Sequence, residues 1–238
     1  MAAISNDPAA ELEPDLTQRI NVEGGQRLAQ LALDAGVRRL VFLSSCSIYG
    51  TGANLALTEE SSLRPVSLYA EAMAQSERAL RELGDASAGV FEPVILRLAT
   101  VFGVSPRMRF DLAVNVMAKD AYIDRRITVD GGGRQWRPFV HVRDVGRAIV
   151  LALTADAAKV AGQTFNVGSD ENNLRILTLA LRVRDEVPGT QVVHAHTDPE
   201  MRDYNVSFDR RTPCSASSPR SRSRTACATC STPCAPAG

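Results

Sequence analysis

Residues 40–50 read Leu-Val-Phe-Leu-Ser-Ser-Cys-Ser-Ile-Tyr-Gly, and residues 67–73 read Ser-Leu-Tyr-Ala-Glu-Ala-Met. The apolar run Leu40 to Leu43 lacks the alternation of a half-wet sheet, so it predicts a strand buried on both faces of a parallel sheet. Ser44, Ser45 and Ser47 follow at its carboxyl end, where open α/β sheets place their ligands. The second stretch opens a helix. Ser67 is its predicted N-cap, Leu68, Ala72, Ala79, Leu80 and Leu83 recur at helical spacing, and Gly84 is the predicted stop. Tyr69 falls in the first turn of that helix.

Working outward, Asp15 to Ala35 reads as a helix with Leu16, Ile20, Leu28 and Leu31 on its buried side. Pro93 to Leu98 reads as a second buried strand, followed by a helix over Phe110 to Lys119 and a short strand over Ile127 to Asp130. Gly131-Gly-Gly133 reads as a turn. Phe139 to Val142 is extended, Asp144 caps a helix over Val145 to Thr154, Thr164 to Val167 is a strand, and Leu174 to Val187 is helical. Strands separated by helices place the chain in the α/β class. With 238 residues it can bury one good core, or one domain with a small appendage. A formal net charge of zero gives no reason to expect nucleic acid or a membrane surface as partner. No apolar run approaches membrane-spanning length, and the N-terminus lacks the basic-then-apolar order of a signal peptide, so a cytoplasmic location is expected. From about Thr212 the text turns to Ser, Arg, Thr, Cys, Ala and Pro, with no aliphatic side chain larger than Ala. That composition predicts a disordered tail. Four of the five cysteines lie in it, Cys214, Cys227, Cys230 and Cys234, but no histidine or aromatic residue accompanies them to shape a metal site, and the arginines have nothing with which to stack a base. His194-x-His196 likewise lacks partners, and no metal site is expected anywhere in the chain.

Ser-Ser-x-Ser-Ile-Tyr-Gly, followed about two dozen residues later by a helix-borne Tyr, resembles the extended short-chain dehydrogenase/reductase family, the NAD(P)-dependent nucleotide-sugar epimerases and dehydratases. Three further stretches resemble family motifs in the family's order. These are Arg97-Leu-Ala-Thr-Val-Phe-Gly103, Gly133-Arg-Gln-Trp-Arg-Pro-Phe-Val-His-Val-Arg-Asp144 and Phe165-Asn-Val-Gly168. The resemblance covers roughly residues 1–208 and implies a Rossmann-type doubly wound parallel sheet over residues 1–110, with a small α/β substrate region over 111–211. Residues 139–154 would return to the Rossmann core, and 212–238 form the tail. Ala2-Ala3 looks like the end of a family strand whose body is missing, so the N-terminal half of the sheet is expected to be absent. A frameshift near Arg211 would account for the tail. The glycine-rich turn that receives a dinucleotide is not present, because Gly131-Gly-Gly133 has neither its spacing nor a following helix.

The resemblance assigns roles residue by residue. Tyr69 becomes the acid/base, exchanging a proton with a sugar hydroxyl, and Ser45 the hydroxyl that holds the reacting oxygen. Ala2, Ala3, Ser44, Tyr69 and Thr100 fall at the nicotinamide end of an NAD or NADP site, and Asn115, Gln135 and Arg137 face the nucleotide sugar, with Arg137 on its diphosphate. Asn21 would support the tyrosine, and His141 reads as structural. One turn beyond Tyr69, where the family has a Lys, stands Met73. A free phenol with a pKa near ~10 is only about 0.1% ionised at neutral pH, and a nearby cation lowers it by about 1–3 units. Without that cation, and without the glycine turn, catalysis and NAD(P) binding are expected to be weak or lost. The dehydratase branch carries Asp-Glu after the catalytic hydroxyl, where this chain has Cys46-Ser47, so epimerase or reductase chemistry is favoured over dehydration. The alternatives are a non-catalytic nucleotide-sugar-binding homologue and a gene fragment with no function of its own. The resemblance implies a homodimer for an intact protein, and neither nucleic acid nor membrane as partner.

Overall fold

The chain's helices come first. In the computed structural model, which describes residues 3–5, 7–195 and 202–209, α1 (Asp7–Leu12), α2 (Pro14–Thr17), a π-helical stretch (Gln18–Glu23) and α3 (Gly24–Asp34) lead into β1 (Arg39–Ser45). After β2 (Thr51–Leu57) come α4 (Leu68–Ala86), β3 (Glu92–Leu98), β4 (Thr100–Phe102), α5 (Ala113–Asp124) and β5 (Arg126–Val129). The rest comprises β6 (Trp136–His141), α6 (Val142–Thr154), α7 (Ala157–Val160), β7 (Thr164–Val167), β8 (Asn173–Arg175), α8 (Ile176–Glu186), β9 (Gln191–His194) and β10 (Asp203–Val206). The expected strand end at Ala2 and everything beyond Asp209, with its four cysteines, lie outside the described residues, as does His196.

β3 is the centre of a parallel sheet in the order β1-β3-β7, with Leu40 opposite Pro93, Leu43 opposite Leu96 and Leu98 opposite Val167. Alternation along the strands separates two cores. Val41, Leu43, Val94 and Leu96 pack with Ala148 and Ala152 of α6, while Leu40, Phe42 and Ile95 pack with Met73 and Leu80 of α4. Helices therefore cover both faces, as a continuous apolar strand requires. A third core joins α5 and α8 through Met117, Ala121, Ile127, Val129, Phe139 and Leu179. Beside it, β5 pairs with β9 in parallel, and β6 pairs in parallel with β4 and antiparallel with β8. β10 returns to pair with β2. The fold is thus α/β with parallel sheets, and among the described residues no helix is long and apolar enough to cross a membrane.

The structure corrects several expectations. β1 has one strand neighbour among the described residues, so although Phe42 is 7% exposed, Leu40, Val41 and Leu43 are only half-buried. In the 14–34 helical stretch, Leu16, Leu28 and Leu31 are exposed, the last two at 45% and 55%, and Thr17, Asn21, Val22 and Ala29 face inward instead. The π-helical stretch accounts for this in part, because its longer hydrogen-bond ring shifts the helix face relative to a 3.6-residue period. Gly84 does not stop α4, which runs on to Ala86; the glycine instead leaves room for Pro93, which packs where a side chain would be. Asp144 lies in the first turn of α6, and the cap is His141, whose Nδ1 accepts the Arg143 N–H at 3.2 Å. α5 starts at Ala113, three residues later than Phe110, and ends at Asp124. Ala3 is exposed and in no strand.

Candidate active site

β1 delivers Ser45 in extended conformation, and its Oγ then accepts the Ser47 N–H at 3.1 Å, capping the 3-10 turn Cys46–Tyr49. Gly50 must follow. Its φ is +64°, and a Cβ there would lie 1.7 Å from the Arg64 carbonyl. That tight reversal keeps the loop after β1 close to the start of α4. Ser67 caps α4 by accepting the Ala70 N–H at 3.3 Å and donates its own hydroxyl to Asp7. Tyr69, in the first turn, has the Ser45 hydroxyl as a polar neighbour of its phenol. Burial pushes the Tyr69 phenol above its usual range, the Ser45 hydroxyl opposes this, the Asp7 charge adds to it and the Arg109 charge opposes it. Met73 is 4% exposed, among Phe42, Ile48, Leu80 and Phe91, and so places apolar packing where a cation would help the phenol ionise.

The segment before α1 is held by Asn21 and Arg109. Asn21 grips Ile4 at two points, accepting its N–H at 2.9 Å and donating to its carbonyl at 2.8 Å. Arg109 reaches Ser5 through its carbonyl at 3.2 Å and its hydroxyl at 3.1 Å, and holds Asp111 with its other nitrogens. Of the residues expected to face a sugar nucleotide, Arg137 is buried on β6, its guanidinium 5.0 Å over the Tyr204 ring and donating to the carbonyls of Trp136, at 2.8 Å, and Arg202. Asn115 is engaged by backbone, accepting the Gly103 N–H at 3.2 Å and donating to the Arg109 carbonyl at 3.0 Å. Gln135 is half-buried in the loop before β6, and its carbonyl accepts the Ile176 N–H. Thr100 is half-buried on β4, opposite Phe139. The Ser44 and Ser47 hydroxyls are buried with no hydrogen-bond partner among the described residues. Sequence reasoning missed Asp7, Arg109 and Arg202. Asp7 and Arg202 pair across 195 positions, a separation that no local spacing encodes.

Three of the sequence motifs meet in one buried network. Arg97, 1% exposed, binds both oxygens of Glu77 on α4, at 3.0 Å and 2.8 Å, and donates to the Tyr49 hydroxyl at 2.9 Å and the Glu59 carbonyl at 3.1 Å. Tyr49 donates to Asn166 at 2.8 Å, and the Asn166 N–H goes to the Glu59 carboxylate at 2.7 Å. Burial pushes the Tyr49 phenol up, so it stays a neutral donor. Burial also works against the Arg97 charge, but the Glu77 carboxylate outweighs it and holds the guanidinium protonated. This network fixes the turn after β1, the middle of α4 and β7 relative to β3.

The sequence profile of the NAD dependent epimerase/dehydratase family matches residues 1–168. The chain belongs to that family. A UDP-glucose 4-epimerase from Mycolicibacterium smegmatis is 33% identical over 175 residues, which are 71% of this chain and 53% of the relative. The chain spans about half to two thirds of the length of the curated relatives it matches, 46%, 65% and 53% for three of them. Among solved structures, the DesIV dTDP-glucose 4,6-dehydratase from Streptomyces venezuelae, with NAD and TYD bound, superposes with a TM-score of 0.74 at 26% identity, covering 88% of this chain and 63% of DesIV. MoeE5 in complex with UDP-glucose and NAD reaches a TM-score of 0.83 at 24% identity over 96% of this chain and 75% of its own, a likeness of fold. Relatives in the epimerase/dehydratase family thus bind NAD and nucleotide sugars. The described residues here fit that cofactor poorly. The unpartnered Ser44 hydroxyl suits a polar ligand at the end of β1, but buried Met73 offers nothing to a ribose hydroxyl, and Gly131–Gly133 is a tight turn of positive φ with no helix behind it.

Proposed function

We propose that the chain recognises a nucleotide sugar, with Tyr69 and Ser45 at the sugar and Arg137 near the diphosphate, and that its chemistry is of the epimerase or reductase kind rather than dehydration. The closeness of the Tyr69 phenol to the Ser45 hydroxyl carries this reading, because it sets an acid/base phenol beside a hydroxyl that can hold a reacting sugar oxygen. Arg137 supports the other end, since a guanidinium already oriented by two carbonyls suits a phosphate. Cys46 and Ser47 offer no carboxylate for water elimination, and burial keeps the Cys46 thiol protonated. Hydride transfer in this family needs NAD or NADP, and Met73 leaves the ribose of either without its cation. Turnover should therefore be low. A second reading, a non-catalytic nucleotide-sugar binder, is favoured by that same buried Met73. Domain limits at about residues 110 and 211 belong to this proposal, with the substrate region between them.

Calorimetric titration with UDP-glucose and with NAD tests it. UDP-glucose should bind, Arg137→Gln should weaken binding by about tenfold, and NAD should show no measurable affinity. Absence of nucleotide-sugar binding in a folded chain would discard both readings. Epimerisation assayed with NAD supplied in large excess, rising at least tenfold in Met73→Lys, would select the enzyme, whereas binding without turnover in either form would select the binder.

A further inference from the structure

Asp7 opens α1, but its carboxylate is taken up by partners outside that helix. Its side chain is mostly buried, one oxygen accepts the Ser67 hydroxyl at the start of α4, and the other accepts Nη1 of Arg202. Arg202 is fixed through its backbone, because its carbonyl receives Arg137 and the neighbouring Asp203 carboxylate receives the Trp136 N–H at 2.7 Å. The charge of Asp7 also reaches Tyr69. Asp7 thus links Ser67, two residues before Tyr69, to Arg202, whose carbonyl holds Arg137. The other charges near Tyr69 come from Arg109, which is itself held by Ser5 and Asp111.

We propose that Asp7 is a specificity-determining residue, an internal carboxylate that a ligand phosphate must displace from Arg202. This rests on reading Arg137 and Arg202 as the anion end of the site. The Asp7–Arg202 pair is partly exposed, and such pairs hold weakly against competition. A diphosphate brings more charge and more acceptor oxygens than one carboxylate and can take both arginines. A monophosphate is closer to parity with Asp7 and gains little. Displacement also frees the Ser67 hydroxyl from Asp7 while leaving its cap on Ala70 intact.

Calorimetry with inorganic pyrophosphate and orthophosphate tests this without any nucleoside, using the wild-type chain, Asp7→Asn, Arg202→Gln and the double variant. Asp7→Asn keeps the shape and removes the charge. It should tighten orthophosphate by about three- to tenfold and narrow the preference for pyrophosphate, and the gain should vanish when Arg202 is also replaced. Asp7→Ser should change affinity in the same direction, which guards against a misfolded Asn variant. Unchanged or weaker phosphate binding in both Asp7 variants, or a gain that survives loss of Arg202, would overturn the proposal. Because these probes lack the nucleoside and sugar, a failure to bind UDP-glucose alongside a retained phosphate gain would count against the nucleotide-sugar reading alone.

Discussion

Met73 lies one helical turn beyond Tyr69, in the cluster between α4 and β1. Replacing it with Lys introduces a cation on the same helix face, which should bring the Tyr69 phenol down by about 1–3 pKa units. Ultraviolet difference titration, with Tyr69→Phe in each background as the blank, measures the shift. An unmoved phenol would mean that the cation does not reach it. Burying an ammonium there should also lower the melting temperature, so the phenol pKa and the stability should fall together. Tyr69 and Ser45 were legible in the sequence because a strand end and a helix start each carry a local signature. Asp7, Arg109 and Arg202 were not, because their meeting depends on how α1, the loop before α5 and β10 come together. Arg137 was legible as a residue, but its stacking on Tyr204 was not.

α4 illustrates what local pattern cannot read. Gly84 is a helix breaker by propensity, yet it lies inside α4, where an added Cβ would come within 2.8 Å of the Pro93 ring. Pro93 cannot give way easily, since its carbonyl is held by the Gly162 N–H at 3.0 Å. Gly84→Ala should therefore destabilise the chain by about 1–3 kcal/mol, against a propensity gain of roughly 1 kcal/mol in an open helix. Urea unfolding of the two proteins decides between these signs. Glu77, on the same helix, is 1% exposed and neutralises Arg97. Glu77→Gln leaves a buried guanidinium without its counter-charge and should cost about 3–5 kcal/mol, an amount that the same unfolding experiment would register. The strands β1 and β3 were legible from their apolar runs, and β7 as a short strand. Helix limits were not, because the π-helical stretch, the Gly84–Pro93 contact and the His141 cap are set by tertiary neighbours or by backbone geometry that hydrophobic spacing does not carry.

Across the whole molecule, the amino ends of β1 and β3 are tied by Glu92, which binds Arg38 and Arg39, while Arg39 also donates to the carbonyls of Ala152, Leu153 and Ala155 at the end of α6. Arg39, with Arg38, holds the Glu92 carboxyl below its ordinary range against the opposing effect of burial. A depressed carboxyl stabilises the fold above its unfolded pKa of about 4.3, and that contribution is lost as pH falls through the lower folded value. Glu92→Gln should accordingly flatten the acid limb of stability below about pH 4.3, as followed by denaturant unfolding at stepped pH. At the other flank, β1 pairs only with β3 among the described residues, and an apolar strand edge is a template for association. The 238-residue chain should self-associate through this edge as its concentration rises, and a sedimentation coefficient that stays monomeric at every concentration would contradict this. The Tyr49–Arg97–Asn166 network has a consequence for any screen that scores lost activity. Substitutions at these three positions would loosen the frame that holds the turn after β1, so a melting measurement run beside a binding assay is needed to tell a broken frame from a broken site.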